Sequence, residues 1–407
     1  FSASKENTMD SLRELFKIGN GPSSSHTMGP ERAAKKFKQD NPNAASFKAE
    51  LYGSLALTGK GHLTDWIIIE TLKPQPTEIV WLPEVVHDYH SNGMKLFAYD
   101  KEGNLLNDWL VFSVGGGTIM EEGQARKGGS EVYSLNTMDD IMKWCKDNNK
   151  ELWEYVIAME GEEIWDYLDK IWEAMQASVR SGLSKNDVLP GVLKYPRRAQ
   201  SFYRKATKQN SPDAFRGKIF AYTLAVSEEN GGGGRVVTSP TCGAAGVVPG
   251  LLYALREEYD LPKEEVLKGL AIAGLTGNLI KENATISGAE GGCQAEIGAA
   301  CAMAAAMAAF LLGGFLEQIE YAAEMALEHH LGLTCDPIGG YVQVPCIERN
   351  AKAAVRALDS VIYSLYTNGK HLVSFDQVVE TMRKTGADLK YEYKETSLGG
   401  LADLKFE

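Results

Sequence analysis

Three cysteines within residues 287–350 stand where thiolates could bind a metal. Cys293 follows two glycines, Cys335 is followed by Asp-Pro, and Cys346 follows a proline. A metal-binding thiolate needs backbone that turns towards the metal, and glycine and proline favour such turns. Cys301 is different, because it lies inside the apolar run IGAACAMAAAMAAFLL, where a small thiol simply fills space.

The spacing of these three cysteines narrows the kind of metal site. Their gaps of 42 and 11 residues do not match zinc sites, which use closely spaced pairs. Three thiolates could hold a four-iron cluster, and one iron would then stay open as a Lewis acid for a substrate oxygen. The alternative is three buried, inert cysteines, since cysteine is among the most frequently buried residue types. Spacing alone leaves both interpretations open.

Two Ser/Gly-rich turns lead into predicted helices and offer sites for an anion. They are GPSSSHTMGPERAA at residues 21–34 and SPTCGAAGVVPG at residues 239–250. Each places hydroxyls and backbone N–H groups at a helix N-terminus, where the unsatisfied donors and the helix dipole both favour a carboxylate. Ordinary helix capping explains the same composition equally directly.

Four histidines and one arginine are candidates for acting on a substrate that carries a carboxylate. His26 lies in SSSHT, and His62 lies in the glycine-flanked TGKGH. Histidine is the most common general base. A histidine in a loop is, however, often merely solvated. His329 and His330 end a predicted helix, where a cation is stabilised, so a structural role fits them as well. Arg349 could bind a carboxylate bidentately or pair with the glutamate before it.

The elements that must position these residues fall into two groups. Residues 8–136 predict an α+β domain, with helical patterns in SLRELFKIG and in ERAAKKFKQD, and strand-like composition in EIVWLP, KLFAYD and WLVFSVGGG. WIIIETL fits a helix or a strand. Thr137, with Asp140 three residues later, predicts a helix start, and residues 137–407 then show mostly helical patterns. The predicted fold is an α+β N-terminal domain followed by a larger, mostly α-helical domain.

The composition fits a soluble enzyme and argues against some partners. Of the 407 residues, 44% are hydrophobic and 24% charged, and the net charge is −12 with no basic run, which disfavours nucleic acid and anionic membranes as partners. The N-terminus has no apolar signal core, so a cytoplasmic location with reduced thiols is expected. Residues 297–316 form an uncharged run of membrane length, but their Ala, Gly and Met content favours a buried helix.

Longer stretches of the sequence resemble one known family. GPSSSHTMGPERAA, LYGSLALTGKGHLTD, NATISGAEGGCQAEIGAAC, LEHHLGLTCDPIGGYVQVPCIERNA and YKETSLGGLA look like the iron–sulfur-dependent L-serine dehydratases, also called L-serine ammonia-lyases. The resemblance runs from about Leu12 to Leu401, with the motifs in the same order and at similar spacing.

The resemblance implies a reaction and assigns roles within it. It implies β-elimination of water from L-serine, with L-threonine as a poorer substrate, giving pyruvate and ammonia. It implies a [4Fe-4S] cluster on Cys293, Cys335 and Cys346 whose open iron is the Lewis acid. It implies His62 as the base, with His26 positioning the carboxylate or assisting proton transfer. A homodimer is expected, and the first domain is similar to the substrate-binding effector domain of some phosphoglycerate dehydrogenases. Substrate contact is expected from Ser23, Ser24, Ser25, Thr241, Gly243, Ala244 and Arg349.

Two features of the sequence bear on whether a fourth thiolate could bind the open iron of a cluster. Cys242 lies where the family usually has asparagine, and a thiolate that closed the open iron would block dehydration, so Cys242 is expected not to bind the cluster. The tail LADLKFE contains no cysteine that could cap the cluster, and no additional C-terminal regulatory domain is expected.

Two other functions stay open as alternatives. A dehydratase could use pyridoxal phosphate on a lysine, for which Lys281 in NLIKENATISG is the candidate, but the three cysteines would then have no role. A non-catalytic amino-acid-binding regulator is also compatible with such a fold, but it would need neither His62 nor the three cysteines.

Overall fold

The computed structural model describes residues 8–123, 131–208 and 213–404. A small N-terminal domain carries a five-stranded sheet, and a larger domain is built from helices, as the sequence predicts. Residues 405–407, at the end of the tail LADLKFE, lie outside the described residues. The strands of the described chain are β1 (Met9–Asp10), β2 (Ile18–Asn20), β3 (Ser46–Tyr52), β4 (Thr77–Leu82), β5 (Gly93–Tyr99), β6 (Leu105–Ser113), β7 (Ile119–Met120), β8 (Glu131–Tyr133) and β9 (Arg235–Val237).

The sheet of the N-terminal domain is mixed and has helices on one face. Its order is β4-β3-β5-β6-β7, with β3 parallel to β4 and all other neighbours antiparallel. Phe47, Ala49 and Leu51 point to one face of β3, because side chains alternate along a strand, and they form the domain core. The helices of this domain are a π-helical turn (Ser24–Met28), α1 (Gly29–Asp40), α2 (Gly53–Thr58) and α3 (Thr64–Leu72).

The segment WIIIETL, which fits a helix or a strand by its pattern, is part of α3. Ile67, Ile68 and Leu72 are buried in the same core as the sheet, so packing on the helical face decides its conformation. Pro30 lies in the first turn of α1, where its missing N–H costs no helical hydrogen bond.

The second domain consists mostly of helices, together with short turns. Thr137 starts it as predicted, since its Oγ1 accepts a hydrogen bond from the Asp140 N–H at 3.2 Å. The division of the chain at residue 136 stays a prediction, because Met9 and Tyr133 pack in the core of the helical domain. The helices are α4 (Met138–Asn148), α5 (Leu152–Glu160), α6 (Ile164–Leu183), α7 (Ala199–Ala206), α8 (Ala214–Gly231), α9 (Val247–Tyr259), α10 (Lys263–Asn283), α11 (Gly288–Gly291), a π-helical turn (Gln294–Gly298), α12 (Ala299–Leu311), α13 (Leu316–Glu328), α14 (Cys346–Leu365) and α15 (Phe375–Asp388).

Helix α12 lies at the centre of this domain. Every residue from 299 to 309 is fully buried, and α9, α10, α13 and α14 pack around it. Among the described residues, one helical run, Gln294–Leu311, is long and apolar enough to cross a membrane, and 83% of it is buried inside the protein. The prediction of a buried helix here is confirmed. The helix ends at Leu311, before the apolar run does, because a turn at Gly313 leads into α13.

The helix predicted for SLRELFKIG is wrong. Only Leu12–Glu14 is helical, as a single 3₁₀ turn, and β2 then pairs antiparallel with β9 of the helical domain. The Lys17 N–H donates to Thr238 Oγ1 at 2.9 Å, so pairing with a distant segment takes the backbone donors that a helix would use. The same pairing fixes the chain just ahead of the first Ser/Gly turn.

Candidate active site

A cavity between the two domains gathers half of the predicted site residues. Its empty volume, including the space open to solvent, is about 360 Å³. Six of the predicted residues line it, and several others lie directly behind them. The lining residues are Pro22, Ser23, His62, Gly243, Cys293, Glu296, Ile297, Cys335, Pro337, Val342, Cys346 and Glu395.

Each of the three cysteines is brought to the cavity by a different local structure. Cys293 follows Gly292, whose φ of +71° is a conformation that favours glycine. The Cys335 carbonyl accepts a hydrogen bond from the Glu395 N–H at 2.9 Å, which fixes its loop against the C-terminal segment. Cys346 is the first residue of α14, where the helix dipole favours an ionised thiol.

The three thiols form a donor set that fits an iron–sulfur cluster. The Sγ atoms of Cys293 and Cys335 and a carboxylate oxygen of Glu296 lie within 4.8 Å of one another. A hydrogen bond with Cys293 and burial raise the pKa of Cys335, and burial together with charge on Cys293 raises the pKa of Cys346. Buried thiols this close ionise together only with a cation among them, and the irons of a cluster supply that positive charge.

Arg349 lies beside these cysteines rather than in the cavity wall. Burial alone would lower its pKa, but negative charge on Cys293 and Cys346 keeps that pKa raised. Its guanidinium contacts Asp336 Oδ1 at 3.3 Å, and this is the ion pair it forms within the described chain, in place of one with Glu348. Substrate binding by Arg349 stays a prediction, and its position places a positive charge next to the thiols.

His62 presents an unprotonated nitrogen to the cavity. Its Nδ1 lies 2.9 Å from the Thr58 carbonyl oxygen, and because a carbonyl only accepts hydrogen bonds, Nδ1 must carry the proton. In the neutral ring Nε2 then keeps its lone pair, 3.5 Å from Oε1 of Glu395. Burial lowers the pKa of His62 to about 4, partly offset by the bond to Thr58, so the ring is neutral near pH 7. This nitrogen can therefore accept a proton from a bound molecule.

His26 stands behind His62 and orients a serine of the first turn. The two rings stack with their centroids 4.5 Å apart. The Ser54 hydroxyl donates to the Glu395 carbonyl at 2.9 Å, so its oxygen is left to accept from His26 Nε2–H at 3.0 Å. Nδ1 of His26 consequently accepts from the Ser25 hydroxyl at 2.8 Å. Burial, and then the neighbouring His62, lower the pKa of His26 well below its ordinary range.

Two glutamates that the sequence analysis missed face the cavity, of which Glu395 is buried and Glu296 partly buried. Glu296 Oε1 accepts from Thr241 Oγ1 at 2.6 Å, its Oε2 lies 3.9 Å from Cys335 Sγ, and burial raises its pKa to about 6. Burial, followed by charge on Glu296 and Cys293, raises the pKa of Glu395 well above its ordinary range. The position of each in the sequence could have identified it as a candidate. Glu296 lies three residues after Cys293, and Glu395 lies within YKETSLGGLA, one of the stretches that resemble the family.

The two Ser/Gly turns reach the cavity through Ser23 and Gly243. Ser23 Oγ accepts from the His26 N–H at 3.0 Å, so it caps the π-helical turn that follows. Asn350 holds the second turn, donating to the Gly243 carbonyl at 2.7 Å and accepting from the Gly246 N–H at 3.1 Å. The remaining predicted contacts are buried beside the cavity without lining it: Ser24, Ser25, Thr241 and Ala244.

Three further candidates lie away from the cavity wall. Cys242 Sγ is 3.4 Å from Met28 Sδ and packs in the helical core; that it does not bind a cluster stays a prediction. The Lys281 ammonium pairs with Asp10 at 3.5 Å, and no lysine is among the described residues that line the cavity. His329 is exposed at the end of α13.

His330 is buried at the end of α13, and its neutral state predicts acid destabilisation. Its Nδ1 lies 2.7 Å from the Ala326 carbonyl oxygen, and burial lowers its pKa to about 4 from the ordinary 6.5. Between these values the unfolded chain binds more protons than the folded one, so the free energy of unfolding falls as the pH is lowered from 6.5 to 4.

We expect His330→Asn to weaken this pH dependence, because its amide can keep the bond to the Ala326 carbonyl without binding a proton. Between pH 7 and pH 5 the unmodified protein should lose about 2 kcal/mol more stability than the variant. Urea unfolding at the two pH values measures the difference. Identical losses in both proteins would show that His330 is not held neutral by the fold.

Comparisons with known proteins show which proteins this chain is similar to. The family described as "Serine dehydratase alpha chain" matches residues 86–402, and the family described as "Serine dehydratase beta chain" matches residues 11–80. The L-serine dehydratase of Streptomyces coelicolor is 40% identical over 450 aligned residues, covering 96% of this chain and 98% of the relative. The L-serine dehydratase of Haemophilus influenzae is 40% identical (97% and 99% covered), and L-serine dehydratase 2 of Escherichia coli is 39% identical (97% and 98% covered).

Proposed function

Because the chain belongs to the serine dehydratase family, we propose that it is a lyase that converts L-serine into pyruvate and ammonia with the help of a [4Fe-4S] cluster. The observation that carries this proposal is the meeting of Cys293, Cys335 and Cys346 with the free Nε2 of His62 in one buried cavity. An elimination from serine needs a base for the Cα proton and a means of making the β-hydroxyl a better leaving group, and this cavity supports both.

The two Ser/Gly turns would bind the substrate carboxylate. Ser23 and Gly243 line the cavity, and Ser23 is the N-cap of the π-helical turn, whose first N–H groups offer donors to an anion. The hydrogen-bond chain through Ser54 and His26 fixes the Ser25 hydroxyl beside Ser23. Donors held in this way need no reorganisation when an anion arrives, which favours tight and oriented binding.

Cys293, Cys335 and Cys346 would hold the cluster, which when bound supplies an open iron as Lewis acid for the β-hydroxyl of the substrate. Arg349 would offset part of the negative charge of the thiolates. The cavity wall around the cysteines is buried, so bulk water is kept from the substrate and charges within it interact strongly.

His62 would act as the base. Its Nε2 takes the Cα proton, the C–H electron pair forms the Cα–Cβ double bond, and the β-hydroxyl leaves with the electron pair of the Cβ–O bond. The protonated His62 then returns its proton to the departing hydroxide, which gives 2-aminoacrylate and water and restores the free base. The aminoacrylate tautomerises to an imine, which water hydrolyses to pyruvate and ammonia without further help from the protein. L-Threonine carries one more methyl group on Cβ, and we expect it to react roughly 10- to 100-fold less efficiently, the discrimination that one methyl group allows.

The test is pyruvate formation from L-serine by protein prepared without oxygen, with iron and sulfide. We expect activity that is lost on exposure to air and restored when the cluster is rebuilt. Activity that survives both air and an iron chelator would exclude the cluster mechanism. Protein-bound phosphorus together with trapping by borohydride would then support pyridoxal phosphate instead.

We also propose that the protein works in the cytoplasm as a homodimer. All six cysteines are unpaired thiols, as expected in a reducing compartment. Leu372 and Tyr366 are 96% and 89% exposed, and apolar side chains this exposed are common where a partner covers them. Light scattering in solution tests the dimer, which would be contradicted by the mass of a single chain.

A further inference from the structure

Glu395 has an unusual backbone conformation for a buried residue. Its φ is +58°, in the left-handed region that favours glycine, yet its side chain is large, acidic and only 4% exposed. A residue is held in such a conformation only when its surroundings over-determine it, and such residues concentrate at functional sites. The position would suit glycine better, so the side chain itself is the feature to explain.

Both domains hold this backbone in place. The Glu395 N–H donates to the Cys335 carbonyl at 2.9 Å, and the Glu395 carbonyl accepts from the Ser54 hydroxyl at 2.9 Å. The first bond ties the residue to a cysteine loop of the helical domain, and the second ties it to α2 of the N-terminal domain. These two bonds aim its carboxyl group into the cavity between the domains.

The carboxyl group of Glu395 has no permanent cationic partner in the described chain. Its nearest basic atoms are Nδ1 of His26 and Nε2 of His62, each 3.5 Å from Oε1, and both rings are buried and neutral. A buried carboxylate is costly unless a cation or several donors compensate it. A cationic ligand in the cavity would therefore complete this site.

We propose that Glu395 binds the α-ammonium group of the amino-acid substrate, an inference that rests on the proposed function. The ammonium nitrogen is bonded to the same Cα whose proton goes to His62 Nε2. Its partner must consequently lie within a few ångströms of that nitrogen, as Oε1 of Glu395 does. Held there, the ammonium group would also direct the Cα–H bond towards the base.

The other acid of the cavity, the partly buried Glu296, is less suited to this role. Glu296 already accepts a hydrogen bond from Thr241 at 2.6 Å, and its second oxygen faces Cys335 Sγ at 3.9 Å. It therefore belongs to the side of the cavity where the cysteines lie. Glu395 belongs to the side where the histidines lie, and the Cα proton must be there.

The test compares two ligands that differ in the group Glu395 would recognise. L-Alanine and L-lactate have the same carboxylate and methyl group, but one has an ammonium and the other a hydroxyl, and neither has a β-hydroxyl to eliminate. Dissociation constants are measured by calorimetry on the cluster-loaded protein without oxygen. We expect the unmodified protein to prefer L-alanine, and Glu395→Gln to weaken L-alanine at least about 100-fold while changing L-lactate little.

Two further variants keep this experiment decisive. Glu296→Gln makes the same chemical change at the other acid of the cavity and should leave the preference for L-alanine intact. Glu395→Asp keeps the charge and should restore part of the preference. Circular dichroism shows whether each variant is folded, and the visible absorption shows whether it holds the cluster. If Glu395→Gln loses the cluster, Glu395→Asp is compared with the unmodified protein instead.

The possible results separate this inference from the proposed reaction. An unchanged preference in Glu395→Gln, or its loss in Glu296→Gln alone, overturns the assignment even if the unmodified protein forms pyruvate. A preference that depends on Glu395 supports the assignment even if no pyruvate forms from L-serine. Binding of neither ligand to the loaded, unmodified protein overturns the assignment as well.

Discussion

Replacing His62 by asparagine is expected to lower the rate of pyruvate formation from L-serine by a factor of about 10² to 10⁴. The asparagine amide can keep the hydrogen bond that His62 Nδ1 makes to the Thr58 carbonyl, so the change removes mainly the basic Nε2. The loss should appear in kcat, because the carboxylate-binding turns and the cysteines are untouched.

His330→Asn is the matched control for this variant. His330 donates through Nδ1 to the carbonyl four residues before it, as His62 does, but it does not line the cavity. Its kcat should stay close to that of the unmodified protein. An unchanged kcat in His62→Asn, at full cluster content, would show that another group takes the Cα proton.

Replacing Cys335 by alanine is expected to abolish cluster binding and to lower activity by at least about 10³-fold. Its Sγ lies within 4.8 Å of Cys293 Sγ, another of the proposed ligands. Iron and sulfide analysis and the visible absorption of the protein measure cluster content directly, independently of activity.

Cys301→Ala removes the same atom from a place where no metal is expected. Cys301 is fully buried in α12, and its thiol donates to the Ala353 carbonyl at 3.2 Å. This variant should lose some stability, because a small cavity is left in the core, but it should retain its iron. Equal iron content in Cys335→Ala and in Cys301→Ala would contradict the assignment of the ligands.

Local pattern was enough to predict much of this molecule. The turn residues around Cys293, Cys335 and Cys346 indicated a possible metal site, with three inert cysteines as the alternative, and all three cysteines line the cavity. Thr137 predicted the start of α4 because capping depends on residues three apart. The order of the two domains follows from the change of periodicity along the chain.

The parts of the structure that could not be predicted from the sequence depend on contacts between residues that are far apart in the chain. SLRELFKIG has a helical pattern, but the pairing of β2 with β9 overrides it. WIIIETL needed the sheet beside it to decide its conformation. Glu395 was missed because its importance depends on a left-handed backbone and on two histidines more than 300 positions earlier, and neither is visible in its neighbours.

The hydrogen bond from Ser54 to the Glu395 carbonyl joins residues that are 341 positions apart, and this has a consequence for biosynthesis. At about 5–20 residues per second, a ribosome adds Glu395 roughly 20–70 s after Ser54. Cys293, Cys335 and Cys346 are added late in that interval, and Cys346 precedes Glu395 by only 49 positions, or about 2–10 s at that rate. The bond that joins the two domains at the cavity therefore forms only after almost all of the described chain has been made.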